Sequence, residues 1–391
     1  MCELIRMIKK SCMLVILLPL KLLFVKNNRI VLFNNLGGKY ADNPKYIAEF
    51  LVNKYQEKFQ IIFSVDDVKK HKYLGQKNII PVQNNSFRYY CYALSSKVIV
   101  TNNGGISYLP LRKKQYVINT WHGGGAYKTV GIHSISNSSW LYKKDMQLSA
   151  KKTNCFLSTT RRFTEKTSEA LLIPQDKFWE IGMPRNDILI RGDKAIQKKI
   201  RCKLGLKENE KLVLFAPTFR NIDGNVLKDF IAVSYGVDAE RVCKALQTRF
   251  GGNWKFGLRL HPRAVNKSAY LLDGVINLTD YEDMQELLLA ADVMINDFSS
   301  SMWDFMLTCK PCFTFALDLQ NYIDTRNVYT PVSEWPFPQA ATNDELERNI
   351  LNFNAEEYAK ACERHYQDLG GCETGQAAKL VCERIYDVCF K

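Results

Sequence analysis

Two of the chain's five histidines stand in short polar turns that follow apolar runs. One lies in Asn119-Thr120-Trp121-His122-Gly123-Gly124-Gly125, the other in Gly257-Leu258-Arg259-Leu260-His261-Pro262-Arg263. An imidazole can accept the proton of a hydroxyl at neutral pH or, when charged, hydrogen-bond a developing phosphate charge. His122 suits the first role, because the glycines beside it permit close contact and unusual φ. His261 suits the second. Arg259 and Arg263 bias its ring toward neutrality until a bound phosphate draws it back to imidazolium.

Two more turns carry phosphate-binding chemistry. Ala216-Pro217-Thr218-Phe219-Arg220 offers a hydroxyl in Thr218 and a planar fork for phosphate oxygens in Arg220. In Asn296-Asp297-Phe298-Ser299-Ser300-Ser301 a strand ends and three serines open a helix. Helix N-terminal N–H groups joined by hydroxyls make an anion site, and a simple cap needs only one of Ser299, Ser300 and Ser301. Asp297 and Asp304 are placed as groups that orient a neighbour, with no proton assigned to either. The pattern calls for no metal and no cofactor: there is no His-x-x-x-His and no dense Cys/His cluster. Together the four turns suggest a phosphate-bearing substrate held between two α/β halves.

The elements that must position these turns follow from apolar periodicity. Arg29–Asn34, Phe59–Ser64, Lys97–Thr101, Val117–Thr120, Cys155–Ser158 and Trp179–Ile181 read as short strands alternating with helices. Pro44 suits a first helical turn. A second series follows in Leu212–Ala216, Phe256–Leu260, Val275–Leu278, Val293–Asn296 and Cys312–Leu317, with a helix over Tyr281–Ala290. Ile188–Lys207 reads as an exposed, basic helix connecting the halves, and Glu356–Phe390 as a helical tail. Such alternation predicts mainly parallel sheets.

A chain of 391 residues, 46% hydrophobic and 24% charged, has the material for two globular domains. Its 54 Lys and Arg against 40 Asp and Glu give a formal charge of +14, which favours anionic partners. The basic stretches Lys69–Lys72 and Arg191–Lys203 contain few aromatics, which argues against a non-catalytic binder of nucleic acid. Twelve cysteines scattered along a long chain point to a reducing setting. The pair Cys309 and Cys312 follows a helix, the wrong end of its dipole for a redox thiolate. Residues 1–25 combine Arg6, Lys9 and Lys10 with an apolar run interrupted by Pro19 and Lys21. That run is too short to span a bilayer and lacks a small-residue cleavage site. It fits an amphipathic helix lying on an anionic membrane surface.

Five segments, in order, resemble the CDP-glycerol glycerophosphotransferase family of teichoic-acid and capsule enzymes. They are Gly38–Lys45, Trp121-His122-Gly123, Gly182-Met183-Pro184-Arg185-Asn186-Asp187, Ala216–Arg220 with Leu260-His261-Pro262, and Asn296–Phe305, continued by Lys310-Pro311 and Asp318–Tyr322. The family's usual Trp-His-Gly-Thr-Pro is here Trp121-His122-Gly123-Gly124-Gly125. The resemblance implies two Rossmann-like domains facing a cleft, a glycosyltransferase-B-like α/β fold. Together with the reading of the residues, this predicts a membrane-associating segment (1–25), an acceptor domain (26–190), a CDP-donor domain (205–345) and C-terminal helices (356–391). The resemblance implies transfer of glycerol phosphate, or a related polyol phosphate, from CDP-glycerol or CDP-ribitol to a hydroxyl of a lipid-linked glycan or polymer. CMP is released at the cytoplasmic face of the bacterial membrane. It makes His122 and His261 essential, places Ser299, Ser300 and Ser301 at the donor's phosphates, and puts Gly123 and Arg185 on the acceptor side. The competing expectation is a sugar transferase of the same fold that uses a nucleotide sugar.

Overall fold

The structure, a computed structural model, describes residues 2–34, 37–125, 127–134, 139–218, 236–260, 274–319 and 328–391. It divides into two compact units. The first comprises Met1–Asp187, Asn327–Tyr329 and Leu369–Lys391, and the second Ile188–Arg326 and Thr330–Asp368.

The first unit holds β1 (Lys26–Phe33), β2 (Gln60–Val65), β3 (Ile79–Gln83), β4 (Ser96–Thr101), β5 (Tyr116–Asn119), β6 (Cys155–Ser158) and β7 (Phe178–Glu180). They form one sheet in the order β3-β2-β1-β4-β5-β6-β7. The pairings are parallel throughout. Its helices begin with α1 (Cys2–Leu17), α2 (Asp42–Tyr55), α3 (Phe87–Ser95), α4 (Trp140–Lys152) and α5 (Arg161–Leu171). Alternate side chains of a strand face opposite sides of the sheet. Ile30 and Leu32 therefore join Val98 and Val100 in one core, while Val31 and Phe33 join Ile99 in the other. Ser86, Ser139 and Thr160 cap α3, α4 and α5 by accepting the N–H groups of Tyr89, Tyr142 and Phe163.

Asp187 opens α6 (Asp187–Arg191), at which the second unit begins, followed by α7 (Lys194–Lys203). The second sheet contains β8 (Glu210–Phe215), β9 (Asn253–Leu258), β10 (Val275–Asn277), β11 (Val293–Asn296), β12 (Cys312–Phe315) and β13 (Gln339–Ala340). Its order is β10-β9-β8-β11-β12-β13, again parallel. Helices α8 (Ala239–Phe250), α9 (Met284–Ala290), α10 (Ser301–Met306), α11 (Asn343–Leu351) and α12 (Ala355–Asp368) surround it. The last helix, α13 (Ala377–Phe390), returns to the first unit, where Val381, Cys382, Ile385 and Cys389 enter the core beside Ile30 and Leu32.

Four sequence expectations change. The tail 356–391 is not one piece, since α12 belongs to the second unit and α13 to the first, with a break at Gly370-Gly371. Residues 188–207 are not merely an exposed connector: Ile188, Leu189, Ile200 and Leu206 are buried, and the second unit starts here rather than at 205. The second unit also runs past 345, to Asp368. The helix expected from Tyr281 starts at Met284, because Asp283 is the cap and accepts the N–H of Gln285.

Segment 1–25 forms α1 and a 3-10 turn over Leu18–Leu22. Leu17 is buried, and Lys10 Nζ reaches Asp145 Oδ2 on α4 at 2.5 Å. Other apolar side chains point outward, with Ile16 65%, Leu22 91% and Phe24 79% exposed. Among the described residues no helix is long and apolar enough to cross a membrane. Cys309 and Cys312 are free thiols; Cys312 lies in β12 and burial drives its pKa well up.

Candidate active site

In an open parallel sheet the crevice at the strands' carboxyl ends, where strand order reverses, is the natural binding place. The first sheet reverses between β1 and β4, and the motif residues of this unit gather there. Asn34 follows β1 and Asn102 follows β4, with Asn102 Nδ2 donating to Asn34 Oδ1 at 2.9 Å. His122 follows β5, next in the sheet. Its Nδ1 lies 2.9 Å from the backbone oxygen of Asn102. A carbonyl only accepts, so Nδ1 carries the proton and Nε2 of the neutral ring is the free base. The Trp121 ring stacks on the imidazole, with centroids 4.4 Å apart. Trp121 itself has φ 53°, a left-handed value costly for a bulky side chain. Asn43 holds that turn by donating from Nδ2 to the Trp121 carbonyl at 3.1 Å.

Burial pushes the His122 pKa below its usual 6.5; the Asn102 carbonyl and Asp42 pull it upward, and Arg185 pushes it down. The imidazole is thus held neutral, the form in which it can take a proton.

Arg185 acts on the same turn. Its Nη1 donates to the His122 carbonyl at 2.8 Å and to Asp42 Oδ1 at 2.9 Å, while its backbone N–H donates to Asn43 Oδ1 at 3.1 Å. The neighbouring motif residues face the other way. Asn186 Nδ2 donates to Glu373 Oε1 at 2.7 Å, and Asp187 accepts the N–H groups of Ala377 and Ala378 that start α13. Gly182 has φ 84°, and a Cβ there would sit 2.2 Å from Glu373 Oε2. Three expected segments, Gly38–Lys45, Trp121–Gly123 and Gly182–Asp187, thus form one hydrogen-bonded unit. Gly123 directly follows His122 and is half-buried. Gly125, at φ 90°, is packed so closely against Tyr127 that a Cβ would lie 2.0 Å from its ring.

The second unit repeats this plan. Its sheet reverses between β8 and β11, and the residues beyond those strands are joined. The Thr218 N–H donates to both Asp297 oxygens at 2.9 and 3.0 Å, and its Oγ1 donates to Oδ2 at 2.7 Å. Thr218 thus gives its hydroxyl proton to Asp297, which ties the turn expected to bind phosphate to the end of β11. Asn296 Oδ1 accepts the N–H groups of Asp297 and Ser299, and Asn296 Nδ2 donates to Ser301 Oγ at 3.0 Å. Ser299 and Ser301 hydroxyls pair at 3.0 Å, leaving Ser300 as the exposed hydroxyl of the three. Asp304 is buried and accepts from Gln285 Nε2 at 2.8 Å, so it anchors α10 to α9.

Arg259 turns toward the entry of α9, donating to the Tyr281 carbonyl at 3.2 Å, and burial lowers its pKa to about 10, so it stays charged at neutral pH. Lys310 donates to the carbonyls of Leu289 and Ala291 at the end of α9, and burial brings its pKa down to about 8. Arg220 and His261 lie outside the described residues. Asn34, Asn102 and Glu373 were not foreseen, and Asn43 was expected only as part of the Gly38–Lys45 segment. Asn34 and Asn102 had a signal, an amide directly after a buried strand; Glu373 had none.

Two parallel sheets of like strand order, each with polar residues tied across its reversal point, have the glycosyltransferase-B-like architecture. A histidine-to-asparagine variant of the wall teichoic acid polymerase TagF soaked with CDPG superposes with a TM-score of 0.83 at 25% identity, over 99% of this chain and 97% of that one. The chain belongs to the CDP-glycerol:poly(glycerophosphate) glycerophosphotransferase family, whose model matches residues 16–387. A Staphylococcus aureus teichoic acid glycerol-phosphate transferase is 28% identical over 376 residues, 92% of this chain and 93% of that protein. A Staphylococcus epidermidis teichoic acid poly(glycerol phosphate) polymerase is 27% identical over 377 residues, and there the match spans 92% of this chain but only 50% of the polymerase. Family membership makes the chain an enzyme of polyol-phosphate transfer from a CDP-linked donor.

Proposed function

We propose that this enzyme transfers glycerol phosphate from CDP-glycerol to a hydroxyl of a lipid-linked glycan or polymer, releasing CMP, in teichoic-acid or capsule synthesis. The observation that carries the reading is the His122 imidazole, held neutral at the strand-order reversal with Nδ1 committed to Asn102 and Nε2 available as base. In this reading Nε2 takes the proton of the acceptor hydroxyl, and the acceptor oxygen attacks the phosphorus that bears glycerol. The bond from that phosphorus to the bridging oxygen breaks, and CMP departs with the electron pair. His261, Arg220 and Ser300 hold the diphosphate and disperse its charge, with Thr218, Ser299 and Ser301 shaping their turns. Gly123 and Arg185 belong to the acceptor side.

The test is incubation of the enzyme and a lipid-linked disaccharide with CDP-glycerol, CDP-ribitol and common nucleotide sugars. Release of CMP from CDP-glycerol, with glycerol phosphate joined to the lipid acceptor, is the expected result. Release of a nucleoside diphosphate from a nucleotide sugar, with CDP-glycerol untouched, would establish the sugar-transferase reading in its place.

The same reading puts the enzyme peripherally on the cytoplasmic face of the membrane. The support is the outward apolar set Ile16, Leu22 and Phe24 beside Arg6 and Lys9 on segment 1–25. Each large apolar side chain contributes about 1.5–3 kcal/mol when fully buried. Replacing all three with serine is therefore expected to lower partitioning onto anionic vesicles at least about tenfold, measured by flotation, without changing the thermal midpoint. Unchanged flotation would place the anchor elsewhere.

A further inference from the structure

Asp42 sits at the first turn of α2 with φ 61°, a left-handed value that aspartate adopts more readily than most residues. Its carboxylate is mostly buried, 13% exposed, and has two partners that lead to the same histidine. Oδ1 accepts from Arg185 Nη1 at 2.9 Å, and that same Nη1 donates to the His122 carbonyl at 2.8 Å. Oδ2 accepts from Asn102 Nδ2 at 2.6 Å, and the Asn102 carbonyl takes the His122 Nδ1 proton at 2.9 Å. One carboxylate thus grips His122 at its main chain through Arg185 and at its ring through Asn102.

We infer that Asp42 is the positioning residue for His122: it locks the ring in the tautomer with Nε2 free and stabilises the imidazolium formed when the acceptor proton arrives. The inference rests on His122 acting as base. Among the described residues the charged groups that face the imidazole are Asp42, which favours its protonated form, and Arg185, which opposes it; Asn102 contributes a neutral carbonyl and Trp121 a stacked ring. An orienting carboxylate that does not itself exchange a proton with the substrate is a known way to raise the effectiveness of a histidine base. Here the carboxylate works at one remove, through a backbone carbonyl. That arrangement fixes the tautomer without placing a second base against the ring.

Asp42→Asn keeps the side chain's size and removes its charge. Kinetics of CMP release across pH are compared for the wild-type enzyme, Asp42→Asn, Asn102→Ala, His122→Ala and the Asp42→Asn/His122→Ala pair. The expected loss in kcat for Asp42→Asn is roughly tenfold to a hundredfold, the range for outer partners that orient a reacting imidazole. Its acid limb moves to lower pH, because the charge that favoured the imidazolium is gone, while KM for CDP-glycerol stays within about twofold. Asn102→Ala, which cuts one arm only, loses less kcat. In the His122→Ala background Asp42→Asn costs nothing further, since both act as one unit. Normal kcat with an unmoved acid limb in Asp42→Asn would overturn the inference, as would a full additional loss in the double variant. If His122→Ala alone keeps near-normal turnover, the base assignment fails, and that outcome is read from a different variant.

Discussion

Alanine in place of His122 lowers turnover about a hundredfold or more, the scale of a lost acid–base group, while the fold persists. The side chain bonds through Nδ1 to a backbone oxygen and stacks on Trp121, so its removal frees a surface in a turn still held by Asn43 and Arg185. The pH profile carries a second signature. Burial lowers the His122 pKa from its usual 6.5, so the neutral base predominates at and above pH 6.5. The midpoint of the acid limb of kcat/KM therefore lies under 6.5 rather than above it. Stability follows the same sign. The unfolded chain takes the proton first, so the contribution is whole above pH 6.5 and is lost as pH falls through the folded value. Near-normal turnover in the alanine variant, or an acid limb above pH 7, would remove His122 from the base role.

Asp297→Ala is expected to weaken the second unit by about 3 kcal/mol, measured by urea unfolding, because it strips an acceptor from several buried or partly buried donors at once. Those donors are the N–H and hydroxyl of Thr218 and the N–H of Phe298. The same change unties the ends of β8 and β11, so KM for CDP-glycerol rises at least about tenfold, a loss of roughly 1.4 kcal/mol of donor binding. Asp297→Asn retains one accepting oxygen and falls between the wild type and Asp297→Ala on both scales. An alanine variant with wild-type stability and KM would show that the Thr218 turn is held by other means.

Much of this organisation is legible along the chain. The central strands, such as Ile30–Phe33 and Leu212–Phe215, are continuous apolar runs because both faces of a parallel sheet are buried. β3 is harder to read: it carries Pro81, which removes a ladder donor, and it is tolerated because β3 is the edge strand. The two-residue β13 leaves no periodic signal at all. His122 stands out because a histidine before glycines at a strand end has few structural reasons to be there. Its pairing with Asp42, Asn102 and Arg185 does not, because they meet it only once strands far apart in sequence lie side by side. The triple serine looked like three equal phosphate donors. In the structure Ser299 and Ser301 pair with each other, while Ser300 is exposed. Charge runs misled in the other direction, since the Lys- and Arg-rich stretch after Ile188 hides the buried Ile200 on its far side.

The return of α13 to the first unit has a consequence for biogenesis. The ribosome delivers this helix only after it has made the whole of the second unit, whose strands and helices are nearly continuous in sequence. Until then one side of the first sheet lacks Val381, Cys382 and Ile385, and Asp187 has no helix start to bind. The nascent protein therefore completes its later-made half first. Because Asp187 and Arg185 share one short segment, the half that carries His122 matures only after the second unit has been made.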